Sequence, residues 1–371
     1  MSRPGQPPVT RRTALFDEHV ALGADMDAYV WAGMAMPWSY RTSLAEEAQA
    51  VRERVGLADV SQLQVVQVTG PGATACLEAL VPRRISDMAP GSTRFSVVLS
   101  RFGRICDEAL IMRLGPNDFW ICHGCGGTQR QLAKVAGDAR ITPLLDKHVL
   151  SVQGPRSATL LSTLVDAMPV DLPFMGHAPA SIDGRPVVLS RSGFTGELGF
   201  EVFCDAGDVV PLWHRMVQAG QPDGLQPYSY QCIDLLRVEA GFSLYPTDLA
   251  AAASIWEAGL GWLIRGKETP FTGRDSVMKS KGAATSRVVG VRLAGEVQVR
   301  RGDSIRRDDL VVGTVTSSAY SAAEGATLCI GRMRRDCGPA SLPVLVDASP
   351  ADGSSPVQGQ VVRLPFRKRR M

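Results

Sequence analysis

The chain has 371 residues, 45% of them hydrophobic and 21% charged, with a formal net charge of +3. That length suits two or three packed modules with room for a sizeable pocket between them, and this composition is that of a soluble globular protein. The balance lacks the positive excess of a nucleic-acid-binding chain, and no stretch reaches the roughly 18 apolar residues of a membrane span, so neither nucleic acid nor membrane is expected as a partner.

The first dozen residues carry Pro4, Pro7 and Pro8 and end in Arg11-Arg12 without an apolar segment, which predicts a flexible arm over 1–14, no signal peptide and a cytoplasmic location. An uncharged, aromatic-rich stretch from Ala28 to Tyr40 is broken by Gly33 and Pro37. Ser43 followed by Glu46 is a capping box, and Ala48, Val51 and Val55 recur on one helical face until Gly56 supplies a stop. A β-type run from Gln62 to Val68 then meets Thr69-Gly70-Pro71, which starts a helix over Ala73 to Val81. Arg94 to Leu99 and Ile105 to Arg113 form a hairpin around Ser100-Arg101-Phe102-Gly103, and Phe119 to Cys122 is a third strand.

The same grammar returns downstream. Strand His148 to Val152, turn Gly154-Pro155, helix Ala158 to Val165, strands Pro186 to Ser190 and Gly199 to Cys204, and helix Val209 to Ala219 predict an internal duplication. After the polar segment Lys279 to Ser286, short strands dominate (Val288 to Leu293, Val311 to Ser317, Leu342 to Val346) and predict a C-terminal β-barrel or sandwich. The domain reading is an arm over 1–14, two α+β modules over 15–278 and a β domain over 287–371.

Eight cysteines scattered through apolar segments read as reduced core thiols. Cys122-His123-Gly124-Cys125 has metal-like closeness, but no second pair of that spacing follows, so no metal is expected. The terminal Arg367-Lys368-Arg369-Arg370 run reads as a solvated end.

Several segments, in order, resemble the aminomethyltransferase (glycine-cleavage T-protein) family. They include Ala32-Gly33, Gly56-Leu57-Ala58-Asp59-Val60-Ser61, Val68-Thr69-Gly70-Pro71, Val152-Gln153-Gly154-Pro155 and Ser192-Gly193-Phe194-Thr195-Gly196-Glu197-Leu198-Gly199-Phe200-Glu201. Leu236-Arg237-Val238-Glu239-Ala240-Gly241, Glu257-Ala258-Gly259-Leu260-Gly261-Trp262 and Val315-Thr316-Ser317-Ser318 continue the series. The resemblance implies an α+β fold, a three-domain cloverleaf in which two related modules and a β-barrel-like domain surround a central hole that binds tetrahydrofolate. It also implies transfer of a one-carbon group to that cofactor.

Glu201 matches the family's pterin-binding glutamate, since a carboxylate accepts the ring's amide N–H and exocyclic amine together. Phe194 and Phe95 stand where the family has tyrosines and keep a stacking face. Tyr245 and Trp262 complete the folate contacts that the resemblance implies. The pair Asp107 and Glu108 corresponds to two family carboxylates, one of them near the reacting nitrogen, and alignment leaves both in play.

Three departures mark this chain. Ile233 stands in place of a folate-site arginine, Gln62 in place of a histidine, and Pro246 in place of the glycine after the tyrosine equivalent to Tyr245. They point away from the glycine-cleavage donor, whose lipoyl carrier protein is a partner only under that alternative, and toward a small methylated compound. Aromatic methyl ethers lead because Trp31, Met34, Trp38 and Trp256 flank the motifs near the hole and, with Gln62, make a candidate substrate pocket. A methyl ether needs an acid at its leaving oxygen, and His177 is the candidate. A non-catalytic folate-binding assembly factor is the remaining alternative; its lysine-glycine-cysteine-tyrosine segment is replaced here by Trp256 to Trp262.

Overall fold

The computed structural model describes residues 8–124, 127–166, 172–252, 254–337, 342–348 and 356–371. Among them an N-terminal layer comes first: helix α1 (Phe16–Ala21), a ribbon of β1 (Val30–Trp31) and β2 (Met34–Ala35), and helix α2 (Leu44–Glu53). The Ser43–Glu46 capping box is formed in both directions. Gly56 does not act as the stop of α2. The chain leaves helical geometry at Arg54 (φ −132°, ψ −111°), and Gly56 opens strand β3 (Gly56–Asp59), which a distant sheet needs as a partner.

The first sheet arises from β4 (Gln64–Thr69), α3 (Ala73–Leu80), β5 (Thr93–Leu99), β6 (Ile105–Gly115), β7 (Asp118–His123), α4 (Gly127–Val135) and β8 (Arg140–Pro143). Its antiparallel order is β5-β6-β7-β4-β8. The second arises from β9 (Lys147–Gln153), α5 (Ser157–Leu164), β10 (His177–Ile182), β11 (Arg185–Ser190), β12 (Gly199–Asp205), α6 (Ala206–Gly220) and β13 (Gln226–Pro227), in the order β10-β11-β12-β9-β3-β13. The two central orders correspond strand for strand, as a duplication requires. Each copy turns from first strand to helix at a glycine in left-handed conformation, Gly70 (φ +97°) and Gly154 (φ +122°), where a side chain would be strained. The fifth position is filled differently: β8 follows its own module, whereas β3 comes from before the first one.

Helix α7 (Tyr230–Glu239), α8 (Asp248–Ala251) and α9 (Arg274–Lys279) lead to a closed barrel of β14 (Ser286–Ala294), β15 (Ser304–Arg307), β16 (Leu310–Ser321), β17 (Ala326–Arg334), β18 (Pro343–Val346) and β19 (Val357–Val362). Closure leaves no unpaired edge. A buried network clamps the barrel to α7. Arg237 meets Asp248 Oδ2 and Ser317 Oγ, each at 2.7 Å, while Glu239 joins Arg52 and Ser321. Several motif residues behind the family resemblance are thus mortar between layers.

Residues 1–7 lie outside the described part, but the rest of the expected arm is pinned. Thr10 N donates to Gly33 O at 2.8 Å, and buried Thr13 donates to Asp59 Oδ2 at 2.6 Å. The terminal basic run leaves Lys368, Arg369 and Arg370 exposed, but its backbone is docked: Arg367 N donates to Glu239 O at 2.9 Å and Arg370 N to Gly196 O at 2.7 Å. No helix among the described residues is long and apolar enough to cross a membrane. Their seven cysteines are free thiols.

Candidate active site

A cavity of about 1150 Å³ lies where both sheets, α7 and the barrel converge. Strand β6 shows how one wall is made. Side chains alternate across a sheet, so Asp107 and Glu108 must point to opposite faces. Ala109 and Ile111 belong to the core beneath α3 and α4, whereas Leu110 and Met112 pack toward the cavity side. Glu108 lines the cavity and Asp107 is sealed behind it.

Asp107 is fully buried and well supplied with donors. Its Oδ2 accepts from Thr128 N at 3.1 Å and Thr128 Oγ1 at 2.9 Å and lies 3.2 Å from His123 Nδ1, and its Oδ1 accepts from Glu108 N at 3.0 Å. Burial pushes this carboxyl up, but the hydrogen bonds from His123 and Thr128 outweigh it and hold the group below its ordinary value. Glu108 is placed differently. One backbone donor, Tyr245 N at 2.9 Å, reaches its Oε1, and burial beside the Asp107 charge pushes the carboxyl up to about 8.

Strand β12 makes the opposite wall by the same alternation. Glu201 shares the cavity face with Phe203, while Phe200, Val202 and Cys204 enter the core under α5 and α6. The Glu201 carboxyl lines the cavity, accepts a short hydrogen bond from Ser192 Oγ and is pushed up by burial. Ser190 Oγ lies 2.8 Å from Ser192 Oγ, and nearby Tyr228 donates to Ser151 Oγ at 2.9 Å. Gln153 fixes the loop before β12, donating to Ser192 O and accepting from Thr195 Oγ1 at 2.9 Å. That loop holds Phe194, whose ring stacks on Phe242 (centroids 5.4 Å apart, 13° between planes), and the Arg369 guanidinium covers Phe242 at 4.2 Å.

Of the residues singled out in the sequence, Glu108, Glu201, Phe194, Phe95, Trp262, Trp31 and Gln62 line the cavity together, joined by Ile233, Cys122 and His123. The others do not. Tyr245 touches it only through the amide that holds Glu108. Met34 is core, Trp38 packs on Tyr29 at 5.3 Å, and Trp256 donates to Val277 O at 2.9 Å on the wall of a separate pocket. His177 sits at the seam between the sheets, with its Nδ1 3.0 Å from Thr93 Oγ1 and its amide donating to Gly91 O at 2.8 Å. Burial lowers its pKa.

The sequence reading missed Arg83, Ser192, Tyr228, Tyr230, Arg363 and Arg369, all at or beside the cavity. The signals present were the terminal basic run for Arg369 and the motif that Ser192 opens. In the Cys122 to Cys125 segment, His123 pairs with Asp107 and Cys125 lies outside the described residues; no candidate metal cluster occurs among those described.

The GCVT N-terminal domain family matches residues 15–268. A heme-dependent oxidative N-demethylase gamma subunit from Ectopseudomonas mendocina (strain ymp) is 32% identical over 350 residues, 91% of this chain and 92% of that protein. An aminomethyltransferase from Streptomyces coelicolor is 34% identical over 97% of this chain and 98% of its own length. In three dimensions the glycine cleavage system aminomethyltransferase T from Bartonella henselae superposes with a TM-score of 0.88 at 24% identity, covering 97% of this chain and 99% of that one.

Proposed function

The chain belongs to the aminomethyltransferase family, whose members bind tetrahydrofolate, and from that premise we propose that it moves a methyl group from a small methylated compound, foremost an aromatic methyl ether, to tetrahydrofolate, giving 5-methyltetrahydrofolate. The observation that carries this reading is the single cavity into which one sheet sends Glu108 and the other Glu201.

The residues present suit a reduced folate. Glu201 is a buried acceptor for paired ring donors, Phe194 and Phe242 offer a flat apolar wall, and Arg363 and Arg369 are cations for an acidic tail. Tetrahydrofolate, when bound, supplies the nitrogen that takes the carbon.

Glu108 takes the acid role first assigned to His177. With its carboxyl pushed up to about 8 it holds a proton near neutral pH, gives it to the departing oxygen, and as carboxylate collects the proton released when the new carbon–nitrogen bond forms. The apolar side chains of Leu110, Leu249 and Leu260 keep water from competing.

A second reading, an N-methyl donor, is favoured by the relative named as an N-demethylase subunit and by Trp31 and Tyr230, whose rings line the cavity 6.5 Å apart and suit a methylated ammonium. The glycine-cleavage donor on a lipoyl carrier protein is disfavoured by Ile233, Gln62 and Pro246. Purified protein with tetrahydrofolate and a panel of methyl ethers, sulfonium and N-methyl compounds tests the proposal. Methyl ethers yielding 5-methyltetrahydrofolate support it. Product formed only from an aminomethylated lipoyl protein overturns it.

A further inference from the structure

Arg83 lies on the Phe95 and Trp262 side of the cavity. It is half-buried, its guanidinium covers the Trp262 ring at 4.9 Å, and Nη1 donates to Phe95 O at 3.1 Å. Among the described residues no carboxylate comes within ion-pair distance of it. The neighbouring acids are already engaged: Asp87 pairs with Arg94, and Glu78 pairs with Lys267, whose Nζ also donates to Arg83 O at 3.3 Å. Burial and then the like charge of Arg94 lower the Arg83 pKa.

A guanidinium drawn partly out of water, among cations and against apolar faces, lacks one anion. Its planar fork matches a carboxylate with two parallel hydrogen bonds. Phe95 stands on β5 opposite Leu110, the next residue along the same face from Glu108. The anion site and the acid therefore border one stretch of wall. For the acidic tail of the acceptor the cavity offers Arg363 and Arg369, the latter beside the Phe194–Phe242 stack.

We infer that Arg83 anchors a carboxylate on the methyl donor, so that Trp262 and Phe95, expected from the resemblance to contact folate, instead bound the donor, a methylated carboxylic acid whose flat or apolar body lies along them with its methyl group toward Glu108. The nature of the moving group rests on the demethylase reading above; the anion site does not.

The test uses the full chain without folate, titrated with para-methoxybenzoate and para-methoxybenzamide by calorimetry and tryptophan fluorescence, for wild type, Arg83→Gln and Arg83→Lys. Wild type should prefer the carboxylate by about tenfold or more, Arg83→Gln should erase that preference, and Arg83→Lys should restore part of it. Tetrahydrofolate affinity should be unchanged in both variants. Equal wild-type affinity for acid and amide overturns the inference, as does a variant that weakens tetrahydrofolate instead of the acid, or both acid and amide alike. If Arg83→Gln does not fold, the wild-type preference and Arg83→Lys decide. Arg83-dependent carboxylate binding with no methyl transfer keeps the anion site and removes the demethylase reading; transfer from neutral ethers alone does the reverse.

Discussion

The two sheets share a strand order, and each turns one glutamate into the same cavity, yet the two carboxyls have different surroundings. Glu108 has a single backbone donor and a charged neighbour in Asp107, and its pKa climbs to about 8. Glu201 is supported by Ser192, itself beside Ser190, and is pushed up by burial. Burial alone raises both groups. Their neighbours differ: the Asp107 charge adds to the rise at Glu108, whereas the Ser192 hydroxyl opposes it at Glu201. A duplicated scaffold fixes where a carboxyl sits, and the residues beside it choose its chemistry.

The sharpest break of that contrast is Glu108→Gln, which should lower turnover by roughly 10²- to 10⁴-fold with little change in tetrahydrofolate affinity. A parallel loss of affinity, measured by calorimetry, would merge the two roles. Glu201→Ala should do the opposite, weakening tetrahydrofolate by about 2–4 kcal/mol, or ~30- to 1000-fold, because two charge-assisted hydrogen bonds vanish. Unchanged affinity in a folded variant would remove Glu201 from the acceptor site.

Asp107→Asn tests the residue behind the wall. Weaker hydrogen bonds from His123 and Thr128 should lower stability by about 1–3 kcal/mol, seen as a fall in Tm. Turnover near neutral pH should persist, but losing the Asp107 charge should move the alkaline limb of the pH–rate profile to lower pH. A collapse of turnover at every pH would return Asp107 to the chemistry.

The smallest effect is on pH-dependent stability. The folded Glu108 carboxyl binds its proton more tightly than the unfolded one, so its contribution is fully present below the ordinary glutamate value and is lost as pH rises through about 8. Turnover that needs the protonated acid should fall over the same upper range. Thermal unfolding across roughly pH 5 to 9 should show wild type losing stability faster than Glu108→Gln as pH rises. Parallel curves would mean that Glu108 titrates normally.

Local signals carried the sequence a long way. The Ser43–Glu46 box, the paired Gly-Pro turns, the hairpin around Phe102 and the run of β segments after Ser286 each act within a few residues, so side-chain spacing alone announces them. The motif around Glu201 picked out a residue that lines the cavity, and the alternation of side chains along a strand requires Asp107 and Glu108 to face opposite ways. Which of the two meets the cavity was beyond it. That depends on a second sheet, and on Tyr245, 137 residues away, bringing its amide to Glu108.

The same long range separated Trp31 from Met34, Trp38 and Trp256, put His177 at a seam, returned Arg369 to Phe242 and drew β3 into a sheet begun after it. Residue type and spacing determine which face of an element is apolar and where the chain turns, because those follow from backbone geometry. Whether a face meets core or cavity is decided by what packs opposite it, and that partner is supplied only when distant segments fold together.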